Sequence, residues 1–332
     1  MKYDAVLIVT FGGPDKMEDV MPFLENVLRG KNVPRERMLE VAHHYELFNG
    51  KSPMNEQNAE LKQLLEARME KVEPKLPVYV GNRNWHPMLE DTIRQMKADG
   101  VKRAMAFVVS GYSCYSGCRQ YREDIQRARE AIGEGAPEFV KLRVFFNHPL
   151  FVEVNAEHVR NSLERIPEAE RANAPILFTA HSIPSAMAEK CRYEVQLQEA
   201  SRLVAEAVGH ENWRLVYQSR SGPPHQPWLE PDVCDVIREL AEQGVKHVVI
   251  SPLGFTSDHM EVLFDLDTEA KELCDELGIQ MERAPAAGNH PLFIEMVHDL
   301  IAERLEDRPD RPAIGAMPAS HDVCPENCCM PR

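Results

Sequence analysis

The chain has 332 residues, 43% hydrophobic and 27% charged, with a formal net charge of −15. That length suits two domains better than one core. The acidic balance argues against nucleic acid, whose phosphates would repel it, and is compatible with gathering cations.

The chain opens MKYDAVLIVTFGGP, entering an apolar strand with no long apolar region or small-residue cleavage site. Its longest apolar runs, such as Ala104–Val109, are too short to span a bilayer. A soluble cytoplasmic protein with no transmembrane segment is the expectation.

In chain order, strands are predicted at Ala5–Phe11, Pro77–Val80, Ala104–Val109 and Lys141–Phe146, then Pro175–Thr179, Arg214–Gln218, His247–Leu253 and Gln280–Arg283. Helical patterns fall between them, at Asn55–Lys71, Pro87–Asp99, Gln120–Ile132 and Asp232–Gln243. Such alternation predicts an α/β fold with parallel sheets covered on both faces.

The sequence also echoes itself. FNHPLFVE at Phe146–Glu153 recurs as GNHPLFIE at Gly288–Glu295, and GVKRAMAFVVSGYS from Gly100 recurs as GVKHVVISPLGFTS from Gly244. The offsets, 142 and 144 residues, nearly agree and the matches keep their order. Two similar doubly wound, Rossmann-like units are therefore expected, their sheets facing a central cleft lined by strand carboxyl ends. One spans residues 1–150, with an insertion near 20–60; the other spans 151–310. The segment 311–332, rich in Pro and ending in a cysteine motif, reads as an extended tail.

Two strand ends carry unusual polar groups. ILFTAHSIP ends in His181, and SPLGFTSDHMEVLFD passes Gly254 and then offers Ser257, Asp258, His259 and Glu261 as a helix begins. A structural histidine and a first-turn helix carboxylate are the bland readings of His181 and Glu261 taken singly. Together, an imidazole and a carboxylate can hold a first-row divalent metal and move protons near neutral pH. Asp265 and Glu269 follow Glu261 at intervals of four, so an α-helix would line all three acids on one face, with Val262, Leu263, Leu266 and Leu273 anchoring the other.

These residues, with FGGP, GKSPMNEQNAEL, GNRNWHPMLEDTI, YSGCRQYRED and WLEPDV in the same order, resemble the ferrochelatase family, which inserts ferrous iron into a porphyrin. The resemblance runs nearly end to end and is nearest to the coproporphyrin III ferrochelatases of Gram-positive, actinobacterial type. It implies that His181 and Glu261 are the catalytic pair and the iron site, with Asp265 and Glu269 as the path that hands the cation inward. It places tetrapyrrole contacts on Phe11, His44, Tyr45, Ser52 and Tyr121. Phe11 stands where some relatives have a tyrosine, and a phenyl ring cannot ligate iron. Leu28 replaces a basic residue, leaving Arg29 or Lys31 for a propionate.

The implied reaction is insertion of Fe2+, a substrate, into coproporphyrin III to give coprohaem in haem biosynthesis, with transient contact to neighbouring pathway enzymes. Bending the macrocycle would expose nitrogen lone pairs, His181 would accept pyrrole protons, and Glu261 would dehydrate and position the ion. A protoporphyrin IX ferrochelatase, a cobalt or nickel chelatase, and a non-catalytic haem or metal carrier on the same scaffold are the alternatives.

Eight cysteines in a chain this large do not form a disulfide framework. Cys191, Cys234 and Cys274 read as small core residues in helical patterns. CPENCC supplies Cys324, Cys328 and Cys329, and a fourth thiol would complete a tetrathiolate zinc site or a 2Fe–2S cluster; an extended tail with free thiols is the plain alternative. The resemblance implies a 2Fe–2S cluster with Cys118 as the internal ligand and Cys114 as its rival.

Overall fold

Ala5–Thr10 (β1) is buried along its whole length, as a central parallel strand covered on both faces must be. The structure, a computed structural model, describes residues 2–30, 33–223 and 225–331. Beside β1 lie Val78–Asn82 (β2) and Arg103–Val108 (β3), with Glu138–Lys141 (β4) on the far side of β3. The second sheet contains Ile176–His181 (β5), Trp213–Gln218 (β6), His247–Ser251 (β7) and Gln280–Arg283 (β8). All pairings are parallel, and the orders are β2-β1-β3-β4 and β6-β5-β7-β8, the same topology twice.

The echo in sequence is an echo in structure. His148 and His290 each accept a hydrogen bond on Nδ1 at 3.2 Å, from Leu150 N and Leu292 N. Each thereby caps the helix that follows, Pro149–Leu163 and Pro291–Leu305. Proline in the first helical turn forfeits only an amide that would lack a partner there.

Two compact units result, one of residues 1–109, 120–142 and 297–307, the other of residues 110–119, 143–296 and 308–332. The core of the second packs Val233, Ile237 and Leu240 and the ridge Val262, Leu266, Ala270 and Cys274 against Leu177, Val216 and Ile250. No helix among the described residues is long and apolar enough to cross a membrane.

One predicted strand is displaced. Lys141–Phe146 reads as a strand, yet the ladder runs over Glu138–Lys141 and the apolar run beyond it is irregular. That run is buried by ring packing instead: Phe145 meets Phe151 and Phe293 with centroids 5.3 and 5.9 Å apart. Apolarity reported burial, which a strand and an aromatic cluster satisfy equally well.

The helix carrying the acids also differs from expectation. After a short α-turn, Met260–Val262, residues Leu263–Ala270 form a π-helix, and α-geometry returns at Lys271–Leu277. Its i→i+5 bonding widens the turn, so Glu261, Asp265 and Glu269 do not stack as four-residue spacing on an α-helix would have them.

Candidate active site

His181 ends β5 in register with Gln218 at the end of β6, so both side chains emerge at the carboxyl edge of the second sheet, where such sheets place reactive groups. Tyr193 Oη donates to His181 O at 3.0 Å, fixing the backbone there. Close approach from β7 is possible only because residue 254 is glycine: a Cβ there would lie 2.5 Å from Ala180 Cβ.

The His181 ring is oriented by its own turn. Nδ1 donates to the Ser182 carbonyl, so in the neutral ring the lone pair is on Nε2. Nε2 lies 3.9 Å from Glu261 Oε2, a gap that a shared cation or an incoming N–H could fill. The Glu261 side chain is 53% exposed and that of His181 32%, so both remain open to a reactant. His259 caps the turn, its Nδ1 accepting from Glu261 N at 3.2 Å, and its ring meets Phe255 edge-on. Burial lowers its basicity, and the neighbouring His181 acts the same way against the carboxylate of Glu261.

Behind Glu261 the acids form a graded series. Asp265 accepts from Gln218 Nε2 at 3.0 Å and from Ser219 Oγ, and Gln218 Nε2 also reaches Glu261 O at 3.3 Å. Ser219 sits in the left-handed region at φ 59°, a strained position for a residue with a side chain. Burial pushes Asp265 up to about 7; the Ser219 and Gln218 bonds oppose this, and the charges of Glu261 and Glu269 reinforce it. Glu269 is raised by burial and then by Asp232 and Glu272. Burial also raises Asp232, which caps the Val233–Glu242 helix by accepting from Cys234 N at 2.8 Å.

The other nearby acids are matched. Asp258 and Asp267 both pair with Arg283, at 2.7 and 2.5 Å. Glu261, Asp265 and Glu269 thus carry mutual repulsion that a divalent cation would relieve. Gln218, Ser219 and Asp232 were not selected from sequence as members of this group. Only the end of the predicted strand Arg214–Gln218 offered a signal, because a strand end beside His181 needs the sheet order to be seen.

In the first unit, Phe11 follows β1 and joins a small aromatic cluster built by the insertion, with Phe23, Tyr45 and Trp85 among its members. Arg83 lies over the rings of Tyr121 and Phe11, 4.6 and 5.9 Å from their centroids, and pairs with Asp124. Ser52 is buried, its amide bonded to Pro14 O at 2.9 Å. His44 is lowered, chiefly by burial and then by Arg37. Arg29 is exposed and bonds Asn26 Oδ1 at 2.5 Å; Lys31 lies outside the described residues.

The tail is not simply extended. Arg143 donates to Pro312 O at 2.9 Å, Asn147 Nδ2 to Met317 O at 2.7 Å, and Glu199 accepts from Ala316 N at 2.7 Å. Arg119 then holds the carbonyls of Glu326 and Cys328 at 2.8 and 3.1 Å. The thiols of Cys118 and Cys329 are hydrogen-bonded; that contact, burial and the neighbouring Cys328 raise the Cys329 thiol. Cys328 Sγ lies 3.6 Å from Cys329 Sγ. Cys114 bonds inward, accepting from Gly117 N at 3.1 Å, and burial raises it to about 11. Cys274 is a core residue and Cys234 packs against the same core. Cys191 lies in a bend between helices, close enough to Cys328 and Cys118 to feel both.

The sequence profile of the family described as Ferrochelatase matches residues 3–305. The chain is 58% identical to a Rhodopirellula baltica protein named ferrochelatase, over 99% of this chain and 93% of that protein. It is 47% identical to the coproporphyrin III ferrochelatase of Nocardia farcinica, over 100% of this chain and 98% of the relative. Among solved structures, the sirohydrochlorin chelatase SirB of Bacillus subtilis subspecies spizizenii in complex with cobalt superposes with a TM-score of 0.54 at 12% identity, covering 94% of this chain and 99% of that one, a likeness of fold.

Proposed function

The chain belongs to the ferrochelatase family of enzymes, and from that premise we propose that it inserts ferrous iron into coproporphyrin III in haem synthesis. Relatives named for that reaction, 46–49% identical over 96% or more of this chain, support the choice of substrate. The observation that carries the reading is the 3.9 Å approach of His181 Nε2 and Glu261 Oε2 at the head of a run of unmatched carboxylates.

The free porphyrin holds two N–H protons where the metal must go. Insertion exchanges them for Fe2+: two N–H bonds break, four Fe–N bonds form, and two protons leave with no change in oxidation state. His181 Nε2 holds the lone pair that can take a pyrrole proton, while Nδ1 stays committed to Ser182 O. Glu261 Oε2 is placed to exchange with the water shell of the ion and steady it at the ring. Asp265 and Glu269 would pass the cation toward Glu261, and an Asp265 that is half protonated near pH 7 can release its proton as the cation arrives. For the tetrapyrrole, Phe11, His44, Tyr45, Ser52 and Tyr121 of the first unit are the proposed contacts. We place the protein in the cytoplasm, where neighbouring haem-pathway enzymes would receive its product.

For the tail we propose a 2Fe–2S cluster on Cys118, Cys324, Cys328 and Cys329. The Cys118–Cys329 contact and the 3.6 Å separation of the Cys328 and Cys329 sulfurs support the fit, and favour Cys118 over Cys114. When bound, the cluster supplies a cross-link between tail and core, since insertion itself moves no electron.

The test is an anaerobic assay with Fe2+ and each porphyrin in turn. Faster insertion into coproporphyrin III is expected; equal or better use of protoporphyrin IX would overturn the substrate assignment.

A further inference from the structure

Three buried polar side chains, Tyr193, Gln196 and Glu199, follow one another at intervals of three along the helix Tyr193–Val208 and so share a face. Each ends on a different element. Tyr193 Oη donates to His181 O at 3.0 Å. Gln196 holds Ser113 twice, Oε1 accepting from its amide at 2.7 Å and Nε2 donating to its hydroxyl at 3.1 Å. Glu199 Oε1 accepts from Ala316 N at 2.7 Å, and its carboxylate is paired with Arg202.

The first contact falls on a peptide that matters. In a trans peptide the oxygen and the N–H point opposite ways. Ser182 N donates to Gln218 O on β6 at 2.8 Å, so His181 O faces the β7 side, where the ladder has ended with Ser251 opposite Phe178. Tyr193 supplies the donor there, and the peptide joining His181 to Ser182 is held at both ends. That peptide fixes where the Ser182 carbonyl meets His181 Nδ1, and with it where Nε2 points beside Glu261.

Tyr193 is itself steadied by what Gln196 holds. Ser113 lies in the segment 110–119 that also carries Cys118. The neighbouring Tyr112 ring meets that of Tyr193 edge-on, centroids 6.1 Å apart, and Tyr112 Oη donates to Leu253 O at 2.9 Å. The helix end is thus pinned at two points one turn apart, and its hydroxyl cannot swing from His181 without releasing Ser113.

We propose that Tyr193 and Gln196 are positioning residues of metal insertion: Tyr193 holds the His181–Ser182 peptide, and Gln196 locks Tyr193 to the cysteine-bearing loop, keeping the His181 ring aimed at the pyrrole proton it accepts. This rests on the reading of His181 as proton acceptor and extends it to two buried residues behind the site.

The experiment uses the full chain purified without oxygen, with Tyr193→Phe, Gln196→Met and the double variant. In one arm, 15N NMR of imidazole-labelled protein at pH 8 reads the His181 tautomer, its signals assigned by their loss in His181→Ala. In the other, kcat and KM are measured for Fe2+ and coproporphyrin III. The native ring should carry its proton on Nδ1, and both single variants should show a mixture of tautomers. Tyr193→Phe should lose about tenfold or more in kcat while KM stays within about twofold. The double variant should be no slower than Tyr193→Phe, because both changes act through one hydrogen bond. Should Gln196→Met not fold, Ser113→Ala, which deletes one of the two bonds, takes its place in the cycle. A native tautomer and native kcat in Tyr193→Phe overturn the inference and leave the proposed reaction standing, and so do losses that multiply in the double variant or fall on KM instead. A native chain that inserts no iron, yet whose His181 tautomer shifts in both single variants, overturns the reaction and leaves the positioning standing.

Discussion

Replacing Asp265 by asparagine tests whether the carboxylate series is held against its own repulsion. Burial raises Asp265 from 3.8 to about 7. Between those values the folded chain keeps a proton that the unfolded chain has lost, so stability falls as pH rises through the window and levels off above it. At about 1.36 kcal/mol per pK unit, the window is worth roughly 4 kcal/mol in full. The part between pH 5 and pH 8 is roughly 2.5 kcal/mol, most of it below pH 7. The amide side chain of Asp265→Asn would still accept from Gln218 and Ser219 through its oxygen but would carry no titrating charge. Unfolding by urea with a chelator present, at pH 5, 6, 7 and 8, should therefore show the variant gaining on the native protein by about that amount across the series. The gain should shrink when a divalent cation is added, because the cation neutralises the same repulsion. Parallel stability curves for the two proteins from pH 5 to pH 8 would refute the reasoning.

Three further outcomes follow from the same geometry. His181→Ala should keep its circular dichroism and porphyrin binding while losing roughly 10²–10⁴-fold in insertion rate; normal turnover in an anaerobic assay would remove His181 from proton transfer. Ser219→Gly keeps the left-handed backbone but deletes the hydroxyl that lowers Asp265, so the acid limb of the rate measured at low iron should move to higher pH; an unmoved limb would show that Asp265 does not govern iron entry. Asn147→Ala removes a fully buried anchor of the tail and strands the Met317 carbonyl, costing about 1–3 kcal/mol. Limited proteolysis should then cut near residue 317 before elsewhere, and an unaltered cleavage pattern would contradict the anchoring.

Strand positions were readable because parallel strands buried on both faces must be continuous apolar runs, and the helix Gln120–Ile132 was readable because an amphipathic period survives in a helix that packs on one side. The Lys141–Phe146 run misled because burial among phenylalanines leaves the same apolar signature as burial in a ladder. The tail read as extended because its anchors, Arg143, Asn147 and Glu199, lie more than a hundred residues away in sequence.

The sequence by itself determined the α/β alternation, the duplicated order of elements, and which strand ends bear His181 and Glu261. Those follow from local hydrophobic period and composition, which act over a few residues. Only the tertiary structure decided that Gln218 and Ser219 steady Asp265, that Arg283 withdraws Asp258 and Asp267 from the acidic series, and that a π-helix sets the spacing of the acids. Those depend on which strands become neighbours and on distances of a few ångströms between remote residues, where hydrogen bonding and charge repulsion act and where a one-dimensional pattern carries no coordinate.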